Sequence, residues 1–110
     1  MPDSYKVHVS AKAERQLIEI GKNIADDLAS PQAAERLLGY LQSEINSLAE
    51  FPGRVPFDSE EIPRQMGIHK MTCRNYIVYF IIDEEKKHVE ILSVLYGRRN
   101  QLQILLDSLS

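Results

Sequence analysis

The residues of this chain that could do chemistry are mainly cations and phenols in its C-terminal half. If residues 68–79 are extended, period-two alternation places four polar side chains along one face of a strand: Lys70, Thr72, Arg74 and Tyr76. Two cations, a hydroxyl and a phenol in one line could hold a phosphate group. We therefore treat this face as a candidate phosphate or target-binding surface.

A second polar group follows the last predicted strand, where Tyr96 and Gly97 precede two arginines. Cleavage of RNA by its own 2′-hydroxyl without a metal needs a base, an acid and cations around the phosphorane. If the chain cuts RNA, the candidate catalytic residues are His69, Arg74, Tyr96 and Arg98. The candidate residues for binding a target or phosphate are Lys70, Arg74, Tyr76, Arg98 and Arg99.

Other chemistries lack a sequence signature. There is no Gly-rich phosphate loop, no HExxH pattern and no Ser-centred elbow. The three histidines, His8, His69 and His88, lie far apart in the sequence, and we expect solvated strand residues rather than metal ligands. Cys73 is the only cysteine, which excludes an internal disulfide and fits a reducing compartment. The sequence therefore predicts no metal and no cofactor.

The charge balance argues against a general nucleic-acid binder. Thirteen Lys and Arg against sixteen Asp and Glu give a formal net charge of −3 over 110 residues. The longest stretch without a charge, residues 75–82, is far shorter than the roughly 20 residues that cross a bilayer. The N-terminus offers no apolar segment typical of a signal peptide. We expect a cytoplasmic protein that does not bind membranes.

The hydrophobic pattern of the first half predicts one strand followed by two helices. Alternating apolar residues predict a strand over 5–9. Apolar residues spaced by three or four then predict a helix from 11 to about 28 with Ser10 as its N-cap. A second helix begins at Ser30-Pro31 and ends near Glu50, and the short connection favours an antiparallel helical hairpin. We expect Gly21 to allow close packing of the two helices.

The second half predicts a meander of strands. Residues 51–65 contain three prolines and an acidic cluster, which favour a loop or an extended edge that adds nothing to the core. Residues 66–74 could be extended, 76–82 should form a central strand, 88–96 the last strand and 98–109 a short helix. We expect one α+β domain over residues 1–110 with the order β-α-α-β-β-β-α. The helical hairpin should pack on one face of a small, mainly antiparallel sheet.

Three segments carry a resemblance to a known family. They are the YxVxxSxxAxxxLxxI pattern that begins at Tyr5, the LxxFPxR pattern from Leu48 to Arg54, and ILxVLYGRRN from Ile91 to Asn100. Together they resemble the RelE/ParE superfamily of toxins from bacterial type II toxin–antitoxin modules, which include plasmid-stabilisation modules. The resemblance implies the fold outlined above, a cognate antitoxin protein as partner, and arrest of growth when the antitoxin is lost.

The same resemblance leaves two targets open. The branch that cuts messenger RNA on the ribosome is basic, with paired lysines, an arginine on the central strand and a late tyrosine. Here Tyr76 occupies that arginine position and Arg74 lies two residues before it, the lysine pair is reduced to His69-Lys70, and the late tyrosine is missing. Arg98 or Arg99 matches the basic residue after the last strand.

The branch that poisons DNA gyrase resembles the chain at least as well and has no conventional catalytic set. We therefore favour a ParE-like gyrase poison. A RelE-like, ribosome-dependent mRNA endonuclease is the alternative. A third interpretation is a relic with the toxin fold that serves only as a binding partner or co-repressor together with an antitoxin.

Overall fold

A four-stranded sheet carries two long helices on one face in the computed structural model, which describes residues 4–97 of the chain. In chain order the elements are β1 (Lys6–Val9), α1 (Ala11–Asp27), α2 (Pro31–Asn46), α3 (Glu61–Gln65), β2 (His69–Cys73), β3 (Tyr76–Asp83) and β4 (His88–Tyr96). The predicted α+β fold with its helical hairpin is confirmed. The predicted C-terminal helix over 98–109 lies outside the described residues. No helix within residues 4–97 is long and apolar enough to cross a membrane.

The sheet is mixed, with the strand order β1-β4-β3-β2. The last three strands form the predicted antiparallel meander, whereas β1 pairs with β4 in parallel. The two long helices cross from β1 at one edge of the sheet toward β2 at the other edge, and the meander then returns the chain to β4 beside β1, which gives the long connection that a parallel pair needs. Lys6 is thereby aligned with His88, and Val9 with Ile91.

Both long helices begin as predicted. The Ser10 hydroxyl accepts a hydrogen bond from the Ala13 N–H at 3.1 Å, and the Ser30 hydroxyl accepts one from Ala33 at 3.2 Å. A Cβ atom on Gly21 would lie only 2.7 Å from Cδ1 of Leu38 on α2. The predicted close packing at Gly21 is therefore confirmed.

The main core lies between the helices and the sheet. Leu41 and Ile45 of α2 are fully buried against Val78 and Phe80 of β3 and against Val94 of β4. The first five residues of β3 are all buried, which confirms the prediction of a central strand.

A smaller cluster lies on the opposite face of the sheet, and its buried members are Ile68, Ile77, Tyr79 and Leu95. Burial, helped by the nearby charges of Asp58 and Glu60, raises the pKa of Tyr79 to about 12. The phenol of Tyr79 is therefore protonated at neutral pH.

The prediction that residues 51–65 add nothing to the core is wrong. Residues 61–65 form α3. Four residues between positions 51 and 65 are buried: Pro52, Val55, Asp58 and Pro63. Phe57 forms an antiparallel bridge to His69, and the Lys70 N–H donates to the Pro56 carbonyl at 3.2 Å. A proline lacks the N–H group but keeps its carbonyl, so a proline-rich segment can still satisfy the edge strand β2.

Candidate functional site

A two-residue turn, Arg74 and Asn75, joins β2 to β3 at one end of the sheet. Cys73 pairs with Tyr76 across this turn, and Arg74 has a φ of 57°, in the left-handed region. Tight two-residue hairpins of the common types need positive φ at their first central position, where Asn, Asp or Gly is usual. The guanidinium Cζ of Arg74 lies 3.9 Å from the centre of the Tyr40 ring on α2, a cation–π contact. The hairpin and α2 together therefore hold an exposed cation at this end of the sheet.

The predicted line of polar residues on one strand face is wrong because the chain reverses after Cys73. Lys70 and Thr72 lie on the sheet face that points away from the helices, as their partners Tyr79 and Ile77 show. Tyr76 lies opposite Cys73 and belongs to the helix-covered core. Arg74 belongs to neither face, since it is part of the turn. Arg98 and Arg99, the two arginines predicted to follow the last strand, lie outside the described residues.

Tyr76 and Tyr96 meet beside the turn. They are aligned across β3 and β4, and their ring centroids are 5.5 Å apart in an edge-on arrangement. Burial, and to a lesser extent Tyr96, raises the pKa of the Tyr76 phenol, whereas the Tyr96 side chain is exposed. The Gly97 N–H donates to the Asn75 carbonyl at 2.7 Å, which fixes the end of β4 against the turn. We call Arg74, Tyr76 and Tyr96 the turn-end cluster.

A groove of about 550 Å³ runs from the turn-end cluster along α1. Its polar walls are formed by Gln16, Glu19, Asn23 and Asp27 on α1 and by Tyr76 and Tyr96 on the sheet. The side-chain oxygen of Gln16 accepts hydrogen bonds from the Val94 N–H at 2.8 Å and from the Ser93 hydroxyl at 3.1 Å, so α1 is tied to β4 here. The two carboxylates would repel a phosphate backbone, whereas the groove suits a polypeptide that brings hydrogen-bond donors and apolar side chains.

His69 lies at the far end of β2 from Arg74 and is a packing residue. Its Nδ1 is 2.7 Å from the Val55 carbonyl oxygen, and its ring stacks between Phe57 and Phe80 with centroid distances of 4.3 and 5.0 Å. Only 6% of His69 is exposed, so the predicted solvated ring is wrong for this residue. Five residues along a strand separate it from Arg74 by roughly 16 Å. The structure therefore does not bring His69 together with Arg74 and Tyr96.

The other two histidines lie side by side, which sequence reasoning missed. Parallel pairing of β1 with β4 places His8 opposite Glu90, two residues after His88. His8 Nδ1 and His88 Nε2 lie 2.8 and 3.1 Å from the same oxygen, Oε1 of Glu90. The spacing of His88 and Glu90 on one strand was visible in the sequence, but the register that adds His8 was not.

Structural comparison finds the same fold in solved structures from toxin–antitoxin systems. A chain from the chromosomal ParDE toxin–antitoxin system of P. aeruginosa superposes with a TM-score of 0.71 at 17% identity, covering 86% of this chain and 97% of that one. A chain of the RelBE2 toxin–antitoxin complex of Mycobacterium tuberculosis gives 0.59 at 20% identity, covering 84% and 91%. An arginine double mutant of the E. coli toxin RelE in its free state gives 0.57 at 14% identity, covering 92% of each chain.

Sequence comparison identifies the family. A search of curated proteins gives no match. The family described as the ParE toxin of the type II toxin–antitoxin system parDE matches residues 7–101. Because this match covers most of the chain, from within β1 to beyond the end of β4, the chain belongs to the ParE toxin family of type II toxin–antitoxin systems.

Proposed function

We propose that this protein arrests growth by binding DNA gyrase and that a cognate antitoxin neutralises it. The observation that carries the proposal is the position of His69, the candidate base, which is buried between two phenyl rings at the opposite end of β2 from Arg74. Metal-free RNA cleavage needs its base and acid at one phosphate. A chain whose candidate base and cations lie far apart is better suited to binding a target protein than to cleaving RNA.

The charge of the chain supports the same choice. A net charge of −3 opposes binding to ribosomal RNA unless a dense basic patch compensates. The groove beside the turn-end cluster adds Glu19 and Asp27 to this end of the molecule. A protein target could bind in this groove through hydrogen bonds and apolar contacts, because the surface of a protein, unlike that of RNA, need not be negatively charged.

The antitoxin is proposed to bind the helical hairpin and the adjoining sheet end. The two solved relatives from P. aeruginosa and M. tuberculosis are described as toxin–antitoxin systems, which supports a partner of this kind. A helix or added strand of the antitoxin should bury more than about 1,200 Å² in total. We expect its carboxylates near Arg74 and its neutral or basic donors near Glu19 and Asp27. Failure of the neighbouring gene product to co-purify with the chain would contradict this part of the proposal.

The alternative target is ribosome-bound messenger RNA. The turn-end cluster favours it, because Arg74, Tyr76 and Tyr96 lie at one end of the sheet and Arg98 follows Tyr96 closely in the sequence. A cation and a phenol near one phosphate could stabilise a phosphorane and protonate a leaving oxygen. The two targets therefore need to be tested side by side.

The deciding experiment incubates the purified full chain with gyrase in a supercoiling assay and with programmed ribosomes in a message-cleavage assay. We expect inhibition of supercoiling and intact message. Arg74→Ala should weaken inhibition only in part, because contact surfaces spread their binding energy over several residues. Arg64→Ala is the matched control, since Arg64 is an exposed arginine on α3, outside the turn-end cluster.

Specific cleavage of ribosome-bound message that is lost in Arg74→Ala or Arg98→Ala would overturn the gyrase proposal in favour of the nuclease. Arg74→Lys should then rescue cleavage poorly, because an ammonium cannot replace the planar fork of a guanidinium. Absence of any effect on growth when the chain is expressed without its antitoxin would leave only the binding-partner interpretation.

A further inference from the structure

Two histidines and a glutamate share one patch on the sheet face that points away from the helices. Val7 and Val9 of β1 and their register partners Val89 and Ile91 of β4 pack toward the helices. Because successive side chains of a strand point to opposite faces, the residues next to these four in sequence, His8, His88 and Glu90, lie on the other face of the sheet. Their backbone positions are fixed by the pairing of two strands rather than by loops.

The three side chains already converge. Glu90 Oε1 lies 2.8 Å from His8 Nδ1 and 3.1 Å from His88 Nε2, and Glu90 Oε2 lies 3.0 Å from His8 Nδ1. One ligand atom from each of the three residues can be chosen so that all lie within 4.8 Å of one another. Ligands about 2.0–2.2 Å from a tetrahedral zinc ion are roughly 3.5 Å apart, so side-chain rotation alone could admit an ion.

We propose that His8, His88 and Glu90 form a binding site for a divalent transition-metal ion of the zinc class. Two imidazoles and one carboxylate are a ligand set that zinc accepts when its fourth position is left to water. The side chains of His8, His88 and Glu90 are 61%, 33% and 27% exposed, so solvent can supply that fourth ligand. The bound ion would join the N-terminal edge strand β1 to β4.

The surroundings do not oppose a cation. Lys6 of β1 and Asp83 of β3 both align with His88, one from each side, so their opposite charges offset each other. When both imidazoles are neutral, the carboxylate of Glu90 therefore gives the patch a net negative charge. The site is independent of the proposed toxin target, since it lies at the start of β4 whereas Tyr96 ends that strand.

The first test titrates zinc into the full chain, free of any affinity tag, by isothermal calorimetry at pH 7.5. We expect one zinc ion per chain and at least tenfold weaker binding in His8→Asn, His88→Asn and Glu90→Gln. Glu85→Gln is the matched control, because it removes the same charge from an exposed residue of the β3–β4 turn. Binding that is absent in the wild type, or equally strong in all variants, would overturn the site.

A second measurement keeps the test decisive if a variant fails to fold. In the wild-type protein, substoichiometric nickel(II) should broaden the ring signals of His8 and His88 in an NMR spectrum. His69 is the internal control, because its ring is buried and its Nδ1 is held by the Val55 carbonyl. Equal broadening of all three histidines, or of none, would contradict the proposed site.

Discussion

Substitution of His69 separates a packing role from a chemical one. The imidazole is stacked between Phe57 and Phe80, and its Nδ1 lies 2.7 Å from the Val55 carbonyl oxygen. A carbonyl oxygen can only accept, so Nδ1 must carry the proton in this contact. His69→Phe keeps a ring of similar size and removes the donor, whereas His69→Asn keeps an N–H near the same position and removes the ring.

The expected costs follow from these contacts. His69→Phe deprives the buried Val55 carbonyl of its donor, which costs about 1–3 kcal/mol in the free energy of unfolding. His69→Asn loses two ring contacts, each worth about 0.5–1.5 kcal/mol, together with buried apolar area. We expect a total loss of about 2–5 kcal/mol for the asparagine variant. Both variants should therefore be less stable, with asparagine the worse of the two.

Urea unfolding of the purified chain measures these differences, and His8→Asn serves as the control because 61% of the His8 side chain is exposed. In parallel, gyrase inhibition and cleavage of ribosome-bound message are both measured at a temperature where each variant is folded. If His69 only packs, the folded His69→Phe variant keeps whichever of these two activities the wild-type protein has. A His69→Phe variant with wild-type stability and a loss of message cleavage of about a hundredfold or more would refute the packing role.

Two further predictions concern the core. Leu41→Ala should lower the free energy of unfolding by about 2–5 kcal/mol because Leu41 is fully buried, while Ile18→Ala, at a site 59% exposed, should cost less than about 1 kcal/mol. A loss below about 0.5 kcal/mol at Leu41, measured by urea unfolding, would mean that the hydrophobic face of α2 is misassigned. Burial, followed by the charge of Glu44, raises the pKa of Cys73 from its ordinary 9.0 to about 11, so the thiolate fraction at pH 8 falls roughly a hundredfold. A chromogenic disulfide should therefore label native Cys73 far more slowly than the urea-unfolded chain, and equal rates would contradict its burial.

The helices and the central strand could be predicted because their signals are local. Ser10 and Ser30 cap the helices through hydrogen bonds to residues three positions ahead, and the apolar spacing of α2 places Leu41 in the core. The continuous apolar run in β3 likewise predicts burial on both faces. These patterns extend over only a few neighbouring residues, so the elements can be predicted without knowing which distant segments they contact.

The site could not be predicted from local patterns because its geometry depends on pairings between distant segments. Arg74-Asn75 lacks the glycine that usually marks a two-residue hairpin, so no local signal excludes an extended chain through Arg74, on which the predicted polar face depends. The burial of His69 depends on Phe57, twelve positions earlier, which bridges to it along the sheet edge and stacks on its ring opposite Phe80. The contact of His8 with Glu90 depends on the parallel register of β1 and β4.

The turn at Arg74 offers the cleanest test of whether toxicity depends on its cation. A left-handed backbone costs a residue with a side chain roughly 1–2 kcal/mol, a cost that glycine avoids. Arg74→Gly relieves this strain but loses the contact with the Tyr40 ring, worth about 0.5–1 kcal/mol at an exposed site. The two effects oppose each other, so the free energy of unfolding should change by less than about 1 kcal/mol, whereas Arg74→Ala keeps the strain. If the chain inhibits gyrase as proposed, reduced inhibition by a stable Arg74→Gly variant would be due to the missing guanidinium, and full inhibition would show that the Arg74 guanidinium contributes nothing to target binding.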